Sequence, residues 1–261
     1  RNERRYFYKG KKFDLSEQID NSVEDTILYR PNATFDHRIP QPPDPKLKSQ
    51  IQVTYETTFH AAIRLVQEEH FPEDEVAVLN FASPRQPGGG FKTGSNAQEE
   101  SLARQSTLYA SIGQERVFEM YKNSMIDENC LNSDYMIFSP NIVIFRDDDD
   151  EFLPWPVNTS VITCAAANLT HWPESNGMEE VHRVMLQRCR KIIQIAILND
   201  ITVLVLGAFG CGVFHNNPVD VANYFKTILI DENYRQYFDL VVFAIHGNHN
   251  RAFDIFKDVF N

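Results

Sequence analysis

Residues 87–100 read Pro-Gly-Gly-Gly-Phe-Lys-Thr-Gly-Ser-Asn-Ala-Gln-Glu-Glu. The consecutive glycines Gly88, Gly89 and Gly90 let a backbone approach a ligand that side chains would keep away. Gln98, Glu99 and Glu100 follow where the next helix should begin. Acids at a helix start are favoured by the helix dipole alone. Taken by themselves, the two glutamates are no more than a good helix opening. Beside a glycine cradle they become carboxylates at the lip of a site for an anionic ligand, which suggests chemistry on a nucleotide. Adjacent helical residues point about 100° apart, so the two acids cannot do the same job.

A second glycine-rich segment, Leu206-Gly207-Ala208-Phe209-Gly210-Cys211-Gly212-Val213-Phe214, ends an apolar run and precedes a helical pattern. In open α/β sheets, ligands bind beyond the carboxyl ends of the strands. Glycines at 207, 210 and 212 allow a wrap whose N–H groups face a phosphate. The spacing G-x-x-G-x-G is not the dinucleotide fingerprint, and no Gly-Lys-[Ser/Thr] follows to make a Walker loop. One such turn is weak evidence; two, each after a strand, point to a diphosphate clamp. Phe209 and Phe214 also read as core residues, and Cys211 as a position that needs only a small side chain.

The elements that must position these segments follow from periodicity. Residues 76–79 form a short continuous apolar run, as in a strand covered on both faces. A helix is predicted over 98–112, directly after the first glycine loop. Runs at 135–138 and 142–145 read as two strands about the turn or bulge Ser139-Pro140-Asn141. Further strands are predicted at 161–167, 201–206 and 240–245. Helices are predicted at 14–29, around Tyr55, Phe59, Ile63 and Val66, and at 178–198, 219–230 and 252–260. Strands alternating with helices indicate an α/β fold, a three-layer α/β/α sandwich with a mixed central sheet. Residues 1–50 read as an N-terminal helical extension and a connector rich in proline (Pro31, Pro40, Pro42, Pro43, Pro45), and 51–261 as one α/β domain that holds both glycine segments.

The 261 residues carry a net charge of −11, with 43% hydrophobic and 23% charged residues. That balance argues against a broad electrostatic footprint for nucleic acid, so no direct DNA binding is expected. An anionic ligand must then be held by local backbone donors. The four cysteines form no CxxC pair and read as reduced packing residues of an intracellular, cytoplasmic or nuclear, protein. No apolar run approaches a membrane span. The basic N-terminus has no apolar segment behind it, so it is not a secretory signal, and the missing initial Met suggests a trimmed chain. The N-x-[ST] patterns at Asn32, Asn158 and Asn168 then read as chance matches. The acidic run 147–151 lacks the spaced ligands of a calcium loop and reads as a solvated loop. No histidine spacing suggests a metal, and no metal or cofactor is expected. His215 is a candidate phosphate contact. Asp74, Glu75 and residues around Ala166 and Asn168 are candidates for an adenine contact.

Together the two glycine segments resemble the microbial, or bacterial-type, poly(ADP-ribose) glycohydrolases, a branch of the macrodomain superfamily. The resemblance is carried by Val78-Leu79-Asn80-Phe81-Ala82-Ser83, by Pro87-Gly88-Gly89-Gly90, by Gln98-Glu99-Glu100-Ser101-Leu102-Ala103-Arg104 and by residues 207–214. Ser139-Pro140 and Phe145-Arg146-Asp147-Asp148 share in it, and the similarity runs from about residue 14 to about residue 246. The pattern GGG-x7-QEE is its specific signature. The resemblance implies a macrodomain with Glu100 as the catalytic carboxylate and Glu99 on the ribose hydroxyls. Gly88, Gly89, Gly90 and Gln98 on one side, and Gly207, Phe209, Gly210, Cys211, Gly212, Val213 and Phe214 on the other, would enclose the ADP-ribose diphosphate. Asn80 and Ala82 would lie near the terminal ribose, with Val213 and Phe214 packed against it.

Breaking a glycosidic bond needs a proton on the leaving oxygen while positive charge grows on the sugar. A carboxyl supplies that proton when neighbouring phosphates and burial favour its neutral form; a helix N-terminus works in the opposite direction. The same clamp would serve release of a single ADP-ribose from a protein side chain, or binding of ADP-ribose without cleavage. The intact acid pair favours an enzyme, acting on poly(ADP-ribose) or an ADP-ribosylated protein, with ADP-ribose as product.

Overall fold

The computed structural model describes residues 4–35, 38–42, 49–126, 130–247 and 250–260. Part of the proline-rich connector (43–48) and residues 248–249 lie outside them. The chain opens with a hairpin of β1 (Arg5–Tyr8) and β2 (Lys11–Asp14). Lys9 and Gly10, between them, have φ of 45° and 83°. Two positive φ values define the tight turn whose twist suits a hairpin. Helix α1 (Ser16–Asp25) follows, then β3 (Ile27–Tyr29), β4 (Gln50–Thr54), α2 (Thr58–Gln67), β5 (Val76–Phe81), α3 (Gln98–Gln105), α4 (Leu108–Ile112) and α5 (Glu119–Ile126). The second half runs β6 (Met136–Arg146), β7 (Phe152–Cys164), α6 (Glu179–Leu198), β8 (Val203–Leu206), α7 (Pro218–Lys226), β9 (Leu240–Ala244) and α8 (Asn250–Phe260).

Seven strands form one mixed sheet in the order β3-β6-β7-β5-β8-β9-β4. The five from β7 to β4 pair in parallel, while β6 and β3 join antiparallel. Each face is covered by its own apolar cluster. Leu79, Ile162, Leu204 and Phe243 point to one side, where α6, α7 and α8 supply Ile192, Phe225 and Phe256. Val78, Val161, Val205 and Val242 point to the other, against Phe59, Leu65, Leu102 and Leu108 of α2, α3 and α4. This is the expected three-layer sandwich. No helix among the described residues is long and apolar enough to cross a membrane.

Four differences from the sequence expectation have local causes. Ile27 and Leu28, expected to close the first helix, form β3 on the edge of the sheet. Thr26 turns extended after α1 and its hydroxyl donates to Ser22 O at 2.6 Å, ending the helix. The N-terminal segment is therefore part of the sheet and not only a helical extension, and buried Lys191 pins it by donating to Arg30 O. The 98–112 helix is broken at Ser106 and Thr107. Ser106 is extended and bridges Ile144, while Thr107 exchanges hydrogen bonds with Val143. The two runs flanking Ser139-Pro140-Asn141 are one strand, β6, with a bulge between Ser139 and Ile142, where Asn141 takes a φ of 54°. Proline lacks the N–H a ladder needs, so it sits at the irregularity. Strand β7 begins at Phe152, nine residues before the apolar run that announced it.

A cleft lined by two carboxylates and a row of backbone amides

A cleft of about 1060 Å³ lies at the carboxyl ends of the parallel strands. The first glycine loop and the start of α3 form one wall. Gln98 locks that wall to the sheet: its Oε1 accepts from Phe81 N at 2.9 Å, and its Nε2 donates to Leu79 O at 2.7 Å and to Thr58 Oγ at 3.0 Å. Both ends of its amide are thus engaged in joining β5, α3 and α2, although it borders the cleft.

Glu99 is 3% exposed. Its carboxyl accepts from Ser83 N at 2.6 Å, from Gly88 N at 3.1 Å and from Asn80 Nδ2 at 3.4 Å. Burial pushes it up to about 8; the Ser83 amide and Asn80 oppose that shift and the Glu100 charge adds to it. Near neutral pH the Glu99 carboxyl is therefore largely protonated. Glu100, 9% exposed, accepts from Gly90 N at 2.9 Å and from Ala97 N at 3.1 Å. Ala97 has no side chain to cap α3, so Glu100 reaches back from the first turn to do so. Gly89 has a φ of 55°, and a Cβ there would fall 2.3 Å from Glu100 Oε1. Only glycine allows that approach.

The first loop thus works differently from the expectation. Its amides were expected to face a diphosphate. Instead Gly88 N and Gly90 N hold the two carboxylates, and Gly89 N bonds Gln86 O at 3.2 Å. Carboxylates one helical turn away are the nearest strong acceptors, so the loop positions acids.

The second loop keeps donors free. Among the described residues, the amides of Gly210, Gly212, Val213 and Phe214 have no intramolecular acceptor, whereas Phe209 N and Cys211 N bond Gly207 O and Ala208 O. Gly210 has a φ of 75°, and a Cβ there would lie 2.6 Å from Ala166 Cβ and 2.7 Å from Asn216 Nδ2. Buried Asn216 welds the loop to the segment after β7, donating to Ala167 O at 2.8 Å and Gly210 O at 3.1 Å. Arg188, fully buried on α6, fixes the same segment through Ala165 O, Leu131 O and Asp134. The result is a rigid ledge with unpaired N–H groups, suited to anionic oxygen.

Gly89, Gly90, Gln98, Glu99, Glu100, Phe209, Gly210, Cys211, Gly212, Val213 and Phe214 border the cleft as the sequence suggested. Four other candidates lie behind the wall. Asn80 is fully buried on β5, beside Thr163 of neighbouring β7, and holds Glu99 from below. Ala82 is core, with its amide on Cys164 O, and its neighbour Ser83 meets the cleft instead. Gly88 and Gly207 sit one layer back, with Phe81 packed close to Gly207. Phe209 is fully buried against the ring of Phe81 as well as bordering the cleft. His215 is exposed outside the cleft lining, its amide on Gly212 O. Asp74 and Glu75 precede β5 at the opposite end of the sheet, where Glu75 accepts from the Thr202 hydroxyl, so neither reaches the site. Of the adenine candidates only Ala166 borders the cleft.

Three groups of cleft residues were missed. Glu56 and Thr57 follow β4, His246 and Gly247 follow β9, and Asp148 and Asp149 come from the β6–β7 turn. Burial works to raise Glu56, but the bidentate Arg64 guanidinium outweighs it and holds the carboxyl below its usual value. Asp148, expected in a solvated loop, accepts from Thr57 Oγ at 2.9 Å and from Gln105 Nε2 at 3.2 Å. The rule that ligands bind beyond the carboxyl ends of parallel strands points to the first two groups; Asp148 stands in a segment that shares in the resemblance, though no role was assigned to it. Among the described residues no cluster of His, Cys, Asp or Glu could hold a metal ion. Burial pushes the Cys211 thiol up to about 12, so the cysteine of the ledge stays protonated and is no nucleophile.

The profile of the microbial-type PARG catalytic domain matches residues 2–147. Among solved structures, the chain is 36% identical to poly(ADP-ribose) glycohydrolase from Thermomonospora curvata, covering 98% of this chain and 94% of that one, with a TM-score of 0.91. The same enzyme bound to the inhibitor ADP-HPD matches at 36% identity over 98% and 93% of the two chains, with a TM-score of 0.85. Poly(ADP-ribose) glycohydrolase from Deinococcus radiodurans in complex with ADP-ribose matches at 34% identity over 92% and 96%, with a TM-score of 0.82. Curated proteins gave no match. The fold, the acid pair and these matches place the chain in the microbial-type poly(ADP-ribose) glycohydrolase family.

Proposed function

We propose that this chain hydrolyses the ribose–ribose O-glycosidic bond of poly(ADP-ribose) and releases ADP-ribose. The observation that carries this reading is the division of labour between the two glycine loops. One presents a pair of carboxylates, and the other faces them with unpaired amides that fit a diphosphate. Family membership supplies the substrate class, and ADP-ribose bound to the Deinococcus radiodurans enzyme supports the ligand.

Glu100 donates a proton to the leaving ribose oxygen as the bond to the anomeric carbon breaks. Water then attacks that carbon and returns its proton to Glu100. Glu99 holds the ribose hydroxyls. Burial alone would nominate Glu99 as the acid, since it keeps a proton near neutral pH. Its carboxyl, however, is taken up by Ser83 N, Gly88 N and Asn80. Glu100 carries one backbone bond on each oxygen and is the more exposed of the two. Val213, 69% exposed, and half-buried Phe214 stand at the cleft mouth. A Phe214 ring against the terminal ribose favours attack from the chain end.

The test compares purified protein on poly(ADP-ribose) and on mono-ADP-ribosylated protein. Free ADP-ribose from the polymer is expected, and Glu100→Gln should lower its release by about 10²- to 10⁴-fold while ADP-ribose still binds. Release only from the modified protein would make the chain a mono-ADP-ribosyl hydrolase. Binding without release by the unaltered protein would make it a reader.

A further inference from the structure

The β1–β2 hairpin is a basic and aromatic element in an acidic protein. Residues 4–14 hold the cations Arg4, Arg5, Lys9, Lys11 and Lys12 against the single carboxylate Asp14, while the whole chain carries −11. Arg4 is paired with Asp20 and Lys12 with Asp14. Among the described residues, Lys9 and Lys11 have no carboxylate partner and sit on rings instead. Lys9 Nζ is 5.3 Å from the Tyr8 ring, and Lys11 Nζ is 3.4 Å from that of Trp155. Trp155 is 59% exposed, and Phe7, paired with Lys12 on the other face of the hairpin, 56%. These large rings lie open although the hairpin has a core of its own, in which Tyr6 stacks on Phe13 and Phe152. Cations without counter-charge beside exposed aromatic faces are the equipment that grips a single-stranded nucleotide polymer: charge for its phosphates, rings for its bases.

The hairpin is also tied to the cleft. Tyr6 Oη donates to Leu153 O at the start of β7, and the turn just before that strand carries Asp148 and Asp149 into the cleft wall. Trp155 lies six positions after Asp149, a span of at most about 21 Å.

We propose that the hairpin and Trp155 form an accessory docking surface for poly(ADP-ribose), holding chain segments outside the cleft while a susceptible unit occupies it. This rests on the glycohydrolase reading for its choice of polymer, whose every unit brings a diphosphate and an adenine. A chain held at a second point turns the next encounter with the cleft into an intramolecular event. The surface therefore acts on long chains and not on free ADP-ribose.

The experiment measures ADP-ribose release from long poly(ADP-ribose) and from its shortest cleavable oligomer, for the unaltered protein and for Lys9→Glu/Lys11→Glu. For long chains KM should rise about tenfold or more with kcat unchanged. KM for the short oligomer and the affinity for ADP-ribose should stay as they were. Trp155→Ala should weaken long-chain binding in the same selective way, and Lys9→Arg/Lys11→Arg should bind long chains as the unaltered protein does. With Lys9→Ala/Lys11→Ala, the salt slope of long-chain binding should flatten by roughly 1.4, or about 0.7 for each phosphate that is no longer neutralised. An unchanged long-chain KM, or equal losses on long and short substrates, would overturn the proposal. So would single-stranded RNA competing at the surface better than poly(ADP-ribose) of the same length. If the unaltered protein releases nothing from the polymer, the glycohydrolase reading fails; filter binding of the intact polymer then decides on the docking surface separately.

Discussion

Glu99 is the group whose titration tests the site most directly. Its carboxyl moves from 4.5 to about 8 on folding because burial disfavours the charged form. A raised folded pKa means that the stabilising contribution is complete below the unfolded value and is lost as pH rises through the folded one. The shift of about 3.5 units corresponds to about 5 kcal/mol in total at 1.36 kcal/mol per unit, of which about 4 kcal/mol falls between about pH 5 and about pH 9. Glu99→Gln cannot ionise and escapes that loss. It carries a separate, pH-independent cost: one amide NH2 must face Ser83 N–H or Gly88 N–H, leaving a buried donor unpaired at about 1–3 kcal/mol. The variant should therefore be less stable than the parent at low pH and gain on it steadily as pH rises. Urea unfolding of both proteins across that range reads the difference. A difference that stays flat to within about 1 kcal/mol would mean that Glu99 ionises normally, and the assignment of Glu99 as the neutral partner of the pair would fall.

Gly210→Ala forces a side chain at positive φ into Ala166 and Asn216, and should cost about 1–3 kcal/mol; calorimetric titration should show ADP-ribose affinity falling at least as much as stability, and unchanged affinity would remove the ledge from the binding site. Arg188→Leu leaves the buried Ala165 O, the half-buried Leu131 O and the quarter-exposed Asp134 carboxylate without their guanidinium and should destabilise the fold by about 1–3 kcal/mol, seen as a lower Tm; an unchanged Tm would show that the segment after β7 is fixed otherwise. If uncharged backbone amides hold the diphosphate, ADP-ribose affinity should depend only weakly on salt; a steep slope in titrations at rising ionic strength would reveal a cationic contact that the ledge lacks.

Much of the layered fold was legible because buried parallel strands write themselves as continuous apolar runs: β5, β8 and β9 stand where 76–79, 201–206 and 240–245 predicted them, β5 running two residues further. The elements that were missed are those whose stability comes from elsewhere. Strand β4 alternates Gln50, Ile51, Gln52 and Val53 on the outer edge of the sheet, and β3 is three residues that make sense only beside β6. The first hairpin turns at Lys9-Gly10, without the Asn or Asp that usually marks such a turn. At the site, the resemblance singled out Glu99 and Glu100, and sequence could not say what the glycine amides would bind. That choice depends on where α3 starts relative to the loop, a matter of angstroms. Nor could Asp148 be given a place in the cleft, although its segment shares in the resemblance, since that place is set by how the β6–β7 turn comes to rest against Thr57 and Gln105.

Strand β7 has a bearing on how the protein comes into being. It lies between β5, which leads into the acid-bearing loop, and β6, which with β3 holds the N-terminal segment. Before β7 is made, β5 and β6 have no shared edge, and the carboxylates stand on a sheet that does not yet exist. The ledge arrives later still, after α6 and β8. The two halves of the cleft therefore share one sheet. During synthesis the cleft has no second wall until residues 207–214 have emerged.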